Sequence, residues 1–169
     1  MYVLYAYDLE SIDVGTEYEW RTLDAHVIEE ITQFLFHQCQ YSIVHDQAQF
    51  SMLGDKYIPI IVANYDDDSC NLVSVCECMY SPVRSMIEIY NVCVHTDYRC
   101  RGYASDLIQI FEYLKTKFSC SLWIAVSRVN PMFGDVIRLY KNMGFEETGI
   151  RFYTPSGIYY HHGFVELIF

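Results

Sequence analysis

Apolar and polar positions alternate loosely from Tyr2 to Asp8, the period of a strand. From Thr16 to Gln40 the spacing lengthens to three and four, with Trp20, Leu23, Val27, Ile31 and Phe34 on one stripe. That predicts a helical region, continuous or broken in two. Three segments rich in β-branched and aromatic residues follow: Tyr57 to Tyr65, Asn71 to Tyr80 and Met86 to His95. The turn-prone Asp66-Asp67-Asp68-Ser69 and Ser81-Pro82 separate them, the signature of an antiparallel meander. After Gly102 the stripe Tyr103, Leu107, Ile110, Phe111, Leu114 and Phe118 predicts a helix, and Ser121 to Val126 a compact apolar strand. A further helix runs from about Met132 to Met143 and stops at Gly144, a natural left-handed terminator. Two closing strands, Thr148 to Thr154 and Ile158 to Phe169, are joined by the turn Pro155-Ser156-Gly157. With no internal repeat or linker, residues 1–169 read as a single α/β domain with a mixed sheet.

Composition narrows the classes. The chain has 169 residues, 52% of them apolar and 17% aromatic, which is ordinary for one globular domain and excludes disorder and fibrous repeats. No apolar run reaches the ~18 residues of a membrane span, and the start carries Asp8 and Glu10 with no basic leader. A soluble, untargeted protein is expected, without a membrane partner. The seven cysteines, at 39, 70, 76, 78, 93, 100 and 120, are odd in number and form no Cys-x-x-Cys pair. This argues against a disulfide framework and against a zinc cage, and fits a reducing cytoplasm best.

Charge changes the picture further, because it is unevenly spread. Residues 1–83 carry fourteen acidic side chains against Arg21 and Lys56, while residues 84–169 carry eight acidic against nine basic. No run is basic enough to displace counterions from nucleic acid. The acidic half favours a cationic ligand and the second half tolerates a small anionic one, although surplus carboxylates also serve solubility alone.

The segment richest in chemistry is Ile87 to Ala104, a strand that ends in a short basic loop and opens into an amphipathic helix. The first turn of a helix leaves about four backbone amides unpartnered and about half a positive charge, which suits a phosphate. Gly102 and the small Ala104 permit close approach, and Arg99 and Arg101 add permanent charge. The loop lacks both the Gly-Lys-Ser/Thr of a nucleoside-triphosphatase and the three-glycine dinucleotide fingerprint, so the pyrophosphate of another cofactor is indicated.

Arg99-x-x-Gly102-x-Ala104, the preceding Val92-Cys93-Val94, and Leu139-Tyr140-Lys141-Asn142-Met143-Gly144-Phe145 together resemble the GNAT superfamily of acetyl-CoA-dependent N-acetyltransferases. The likeness covers residues 86 to 146 and is carried by the placement of the loop between strand and helix, about forty residues ahead of the second signature. It implies a GNAT-like fold, a central mixed, mostly antiparallel twisted sheet flanked by helices, with acetyl-CoA as cosubstrate. By resemblance, the backbone of Cys100, Arg101, Gly102, Tyr103, Ala104 and Ser105 cradles the coenzyme pyrophosphate. Val92, Cys93 and Val94 pair with the pantetheine arm, and an amide near Val94 faces the thioester oxygen. Such a donor stabilises the tetrahedral intermediate more than the ground state.

Tyr140 matches the family tyrosine that protonates the departing thiolate, and Glu88, eleven residues before Arg99, matches the glutamate base of the histone-lysine branch. A phenol near 10 and a thiol near 8.5 are close enough for proton transfer. Flanked by Ile87 and Ile89, Glu88 is expected to be partly desolvated, with its pKa raised. Each has a plainer reading: Tyr140 shares a helical stripe with Phe133, Val136, Ile137 and Met143, and Glu88 fits the solvent side of an alternating strand. His95, His161 and His162 are alternative bases, and a water relay without a single essential base is the other route.

The sequence departs from the family where an Asn is usual seven residues before the tyrosine. Phe133 stands there and Val136 takes the small-residue position, and a Pro131-Met132-Phe133 insertion would return Asn130 to the coenzyme. Cys100 raises a rival covalent route through an acyl-cysteine, for which no His and Asn partners are discernible. Cys76 and Cys78 share one strand face and read as core.

In the superfamily the acceptor groove is formed by the first helices, the strand carrying Glu88 and the closing hairpin. Here that hairpin holds Tyr153, Tyr159, Tyr160, His161 and His162. With the acidic first half this points to a cationic amine: a protein lysine or N-terminus, or a polyamine. A non-catalytic acetyl-CoA sensor or interaction module is the alternative, and the presence of both Glu88 and Tyr140 favours the enzyme. Phe164 to Phe169 is apolar enough for a homodimer edge or for a last core strand.

Overall fold

The computed structural model describes residues 1–7, 9–12, 14–39, 57–155, 157 and 159–169, the side chains of 11, 39, 159 and 160 excepted. The strands are β1 (Tyr2–Ala6), β2 (Glu19–Thr22), β3 (Ile58–Tyr65), β4 (Leu72–Ser81), β5 (Met86–Val94), β6 (Ser121–Ser127), β7 (Glu146–Tyr153) and β8 (Tyr159–Ile168). The helices are α1 (Ala25–Cys39), α2 (Tyr103–Phe118) and α3 (Phe133–Asn142). The eight strands form one mixed sheet in the order β2-β1-β3-β4-β5-β6-β8-β7. Pairing is parallel at β1/β2 and β5/β6 and antiparallel at β1/β3, β3/β4, β6/β8 and β7/β8. Among the described residues no helix is long and apolar enough to cross a membrane.

The described chain divides into two compact units, one of residues 1–39, 58–80 and 90–104, the other of 57, 81–89 and 105–169. In the first, α1 lies on the sheet through Ile31 and Leu35, which join Val3, Tyr5, Ile61, Ala63, Val75 and Cys93 in one buried cluster. The inward residues of each strand recur every second position, so β1, β3 and β4 each offer this helix one face. The N-terminal ammonium is tied down by Asn64 Oδ1, the Tyr65 carbonyl and Asp67 Oδ1. In the second unit Phe145 is the hub. Its ring meets Phe111, Tyr140 and Phe169 with centroids 6.1, 5.4 and 5.1 Å away. Gly144 ends α3 at φ +95°, and a Cβ there would stand 2.9 Å from the Phe169 ring, so glycine is required by both backbone and space.

Most predicted elements are present, with one clear correction. The helical region expected from Thr16 begins only at Ala25; Glu19–Thr22 is instead a short strand parallel to β1, with Trp20 opposite Leu4. The boundary is set by Asp24, whose Oδ1 accepts from the amides of His26 and Val27, both at 3.0 Å, and so caps the helix. The expected hairpin turn is closed by a Gly157 amide to Thr154 carbonyl bond of 2.9 Å; Ser156 and Ile158 fall outside the described residues. The closing strand is a core strand, since β8 is paired on both sides and buries Phe164, Val165 and Leu167. A second correction concerns the cysteines. Cys93 is disulfide-bonded, so the argument against disulfides fails at that position, while Cys70, Cys76, Cys78, Cys100 and Cys120 are free thiols.

Candidate coenzyme loop and catalytic side chains

Beyond Val94 the chain makes a single 3-10 turn, Thr96–Tyr98, before the loop. His95 caps this turn, its Nδ1 accepting from the Asp97 amide at 3.2 Å. That nitrogen is therefore occupied in shaping the loop rather than available as a base. The His95 amide donates to the Val73 carbonyl at 2.8 Å and continues the alignment of β5 along β4. The loop then uses left-handed backbone twice, at Cys100 (φ 59°) and Gly102 (φ 92°), before α2 opens at Tyr103. Left-handed residues interspersed in a short loop curl its N–H groups into a concave, anion-binding array. Around Gly102 an added Cβ would meet no heavy atom within 4 Å, so the backbone is open to a ligand on that side. The amides of Tyr103, Ala104 and Ser105 stand in the first turn of α2, where helical partners are lacking.

The two arginines have different tasks. Arg99 donates from Nε to the Val94 carbonyl at 3.1 Å and from Nη2 to the Gln38 carbonyl at 2.8 Å. It straps the loop to the end of β5 and the end of α1. The Gln38 side-chain oxygen returns the contact, accepting from the Thr96 amide and hydroxyl at 3.0 and 2.9 Å. Arg101 lies over the Tyr98 ring, 5.4 Å from its centroid, and is exposed. The charge expected of Arg99 is thus largely structural, and Arg101 is the more available cation.

Glu88 sits on β5 in register with Trp123 of β6 and is 1% exposed. The plainer reading of a solvent-facing carboxylate is removed. Tyr140 is 4% exposed on α3, its ring edge-on to Phe145. Asn130 uses its side-chain oxygen locally, accepting from the Met132 amide at 2.9 Å, and so shapes the approach to α3. In the closing hairpin Tyr153 is 64% exposed and the His161 and His162 rings are 5.0 Å apart, while Tyr159 and Tyr160 have side chains outside the described set. Arg84 donates to the Pro155 carbonyl and anchors the hairpin turn.

Sequence reasoning missed Glu77. It lies wholly buried on β4 and accepts from the side-chain amide of Asn91, the residue before Val92. Its only signal was a charge inside a run of apolar strand residues. Gln38 gave none, since its partners stand 58 and 61 residues away.

A strand whose end leads through a loop with two left-handed residues into a helix, within a mixed sheet, defines an α/β protein. Residues 56–147 match the family model of the acetyltransferase (GNAT) domain, and the chain belongs to that family. No curated sequence is matched. Among solved structures the chain is similar to Arabidopsis thaliana Naa50 in complex with the bisubstrate analogue CoA-Ac-MVNAL. Identity is 17% over 87% of this chain and 94% of that one, with a TM-score of 0.60. It is also similar to a spermidine N-acetyltransferase SpeG chimera from Vibrio cholerae and hSSAT, at 14% identity, 86% and 92% coverage and a TM-score of 0.59. A third is the ribosomal-protein-S18-alanine N-acetyltransferase from Escherichia coli, at 18% identity, 86% and 87% coverage and a TM-score of 0.56. At these identities the likeness establishes the fold.

Proposed function

We propose that the protein transfers acetyl from acetyl-CoA directly to a primary amine of a cationic acceptor: a protein lysine or N-terminus, or a polyamine. The observation that carries this reading is the loop from Arg99 to Ala104, with its left-handed Cys100 and Gly102, the open space at Gly102 and the start of α2 at Tyr103, whose first-turn amides have no acceptor within the helix. Those amides take the coenzyme pyrophosphate, with Arg101 adding charge. The backbone of Val92 to Val94 takes the pantetheine arm, and an amide near Val94 meets the thioester oxygen. The amine arrives protonated. Glu88 accepts its proton, directly or through water, and the freed lone pair attacks the thioester carbon. Negative charge gathers on the oxygen in the tetrahedral intermediate, where a fixed N–H lowers the barrier. When the C–S bond breaks, Tyr140 gives its phenolic proton to the thiolate and is reprotonated from solvent or from the acceptor side.

Support for a cationic acceptor comes from the acidic first half of the chain and from the exposed Tyr153 and histidine pair of the closing hairpin. A chromogenic thiol assay with acetyl-CoA and a panel of amines tests it. Lysine-rich peptides, free protein N-termini or polyamines should release coenzyme A fastest. Faster turnover of anionic amino acids would overturn the charge argument, and no turnover with any amine, despite coenzyme binding, would favour the sensor.

A further inference from the structure

Within the first unit, a cavity of about 500 Å3 lies among the C-terminal half of α1, the start of β4 and the Thr96–Tyr98 turn. That volume is typical of small-molecule sites. Two carboxylates line it, Glu30 on α1 and Asp97 on the turn, and no lysine or arginine does so among the described residues. Four rings make up much of the remaining wall, those of Phe34, His37, His95 and Tyr98. Phe34 and His95 have centroids 6.2 Å apart, and Tyr98 stands edge-on to His95 at 5.6 Å. The Glu30 carboxylate is held in place by a relay of phenols. Tyr65 donates to its Oε2 at 3.4 Å, and the Tyr65 and Tyr5 hydroxyls share a hydrogen bond of 3.1 Å. Burial, then these neighbours, raises the Tyr65 pKa well above its usual value, so its hydroxyl keeps the proton it donates.

Aromatic faces and carboxylates around one volume attract a cation with an aliphatic body and repel an anion. We propose that this cavity binds a small organic cation, most simply a short diamine, and that its occupancy acts on the coenzyme loop. The coupling route is short. Gln38, in the cavity wall, holds Thr96 through its side chain and Arg99 through its carbonyl, and the Arg99 guanidinium straps the loop. An occupant that moves Gln38 or the Thr96–Tyr98 turn therefore moves the strap.

The cation site does not depend on the acyl-transfer reading, and the test uses a probe that cannot be acetylated: fully N-methylated 1,4-diaminobutane, titrated calorimetrically into the full chain. Saturable binding at one site is expected, about fivefold weaker in Glu30→Gln, the loss of one partly exposed charge pair. Phe34→Leu should weaken it as well. Should that variant fold poorly, the isosteric Glu30→Gln decides alone. Absence of saturable heat, or unchanged affinity in Glu30→Gln, overturns the site. Coupling is read as a shift of coenzyme A affinity at saturating probe, mirrored by an equal shift of probe affinity at saturating coenzyme. No shift, or no coenzyme binding, overturns the coupling and leaves the cation arm to be judged by itself.

Discussion

Substituting Gly102 by alanine separates a backbone effect from a contact effect. At φ 92° an L-residue is strained, yet the added methyl would have no heavy atom within 4 Å. The whole cost is therefore conformational, about 1–2 kcal/mol if the loop keeps its shape. For a chain of this size that corresponds to a fall in Tm of about 2–8 °C in the ligand-free protein. If the loop relaxes instead, stability recovers but the amide array is lost and coenzyme A binds more weakly. Gly134→Ala is the matched control. Gly134 lies in the first turn of α3 without a positive φ and also faces open space, so alanine there should stabilise by about 0.5–1 kcal/mol. Cys100→Gly should likewise stabilise, because it relieves a non-glycine residue at φ 59°. Thermal unfolding and calorimetric titration with coenzyme A, run on all three variants, read both quantities. A Gly102→Ala protein with wild-type Tm and wild-type coenzyme affinity would refute the reasoning.

Tyr140→Phe keeps the ring against Phe145 and removes the acid, so turnover should fall about 100- to 10,000-fold; unchanged turnover in an active preparation would remove the role. Glu88→Gln keeps the shape and removes the base, so kcat/KM should fall about 100-fold, whereas unchanged turnover would leave a water relay as the mechanism. Iodoacetamide without reductant should modify the exposed Cys70 and Cys100 first and spare the buried Cys76 and Cys78. The Cys76 thiol is pushed up by its Cys78 neighbour and by burial. Cys93 should react only after reduction, and its labelling in unreduced protein would contradict the disulfide.

The sequence was most legible where a local rule decides. Periodicity located β3 to β8 and α2, and Gly144 marked the end of α3, because each depends on neighbours a few residues away. It misled at Trp20 and Leu23, whose spacing fits a helix. Pairing with β1 makes Glu19–Thr22 a strand, and only the Asp24 cap betrays the boundary. The strand-loop-helix segment was legible as a motif, but the use of Arg99 was not. A guanidinium beside a phosphate loop reads as charge, and its carbonyl partner on α1 is remote in sequence. The burial of Glu88 was foreshadowed by its isoleucine neighbours, yet alternation alone could not choose between core and solvent. The disulfide at Cys93 was illegible for a related reason: an odd cysteine count argues about the set and says nothing of one pair.

The central claim is that backbone amides from Cys100 to Ser105 grip a diphosphate. It is tested most directly by titrating the protein with coenzyme A and, in parallel, with pantetheine, which has the same thiol arm and no diphosphate. Coenzyme A should bind at least about 100-fold more tightly, the worth of two or three charge-assisted hydrogen bonds. Equal affinity for the two ligands would contradict the account.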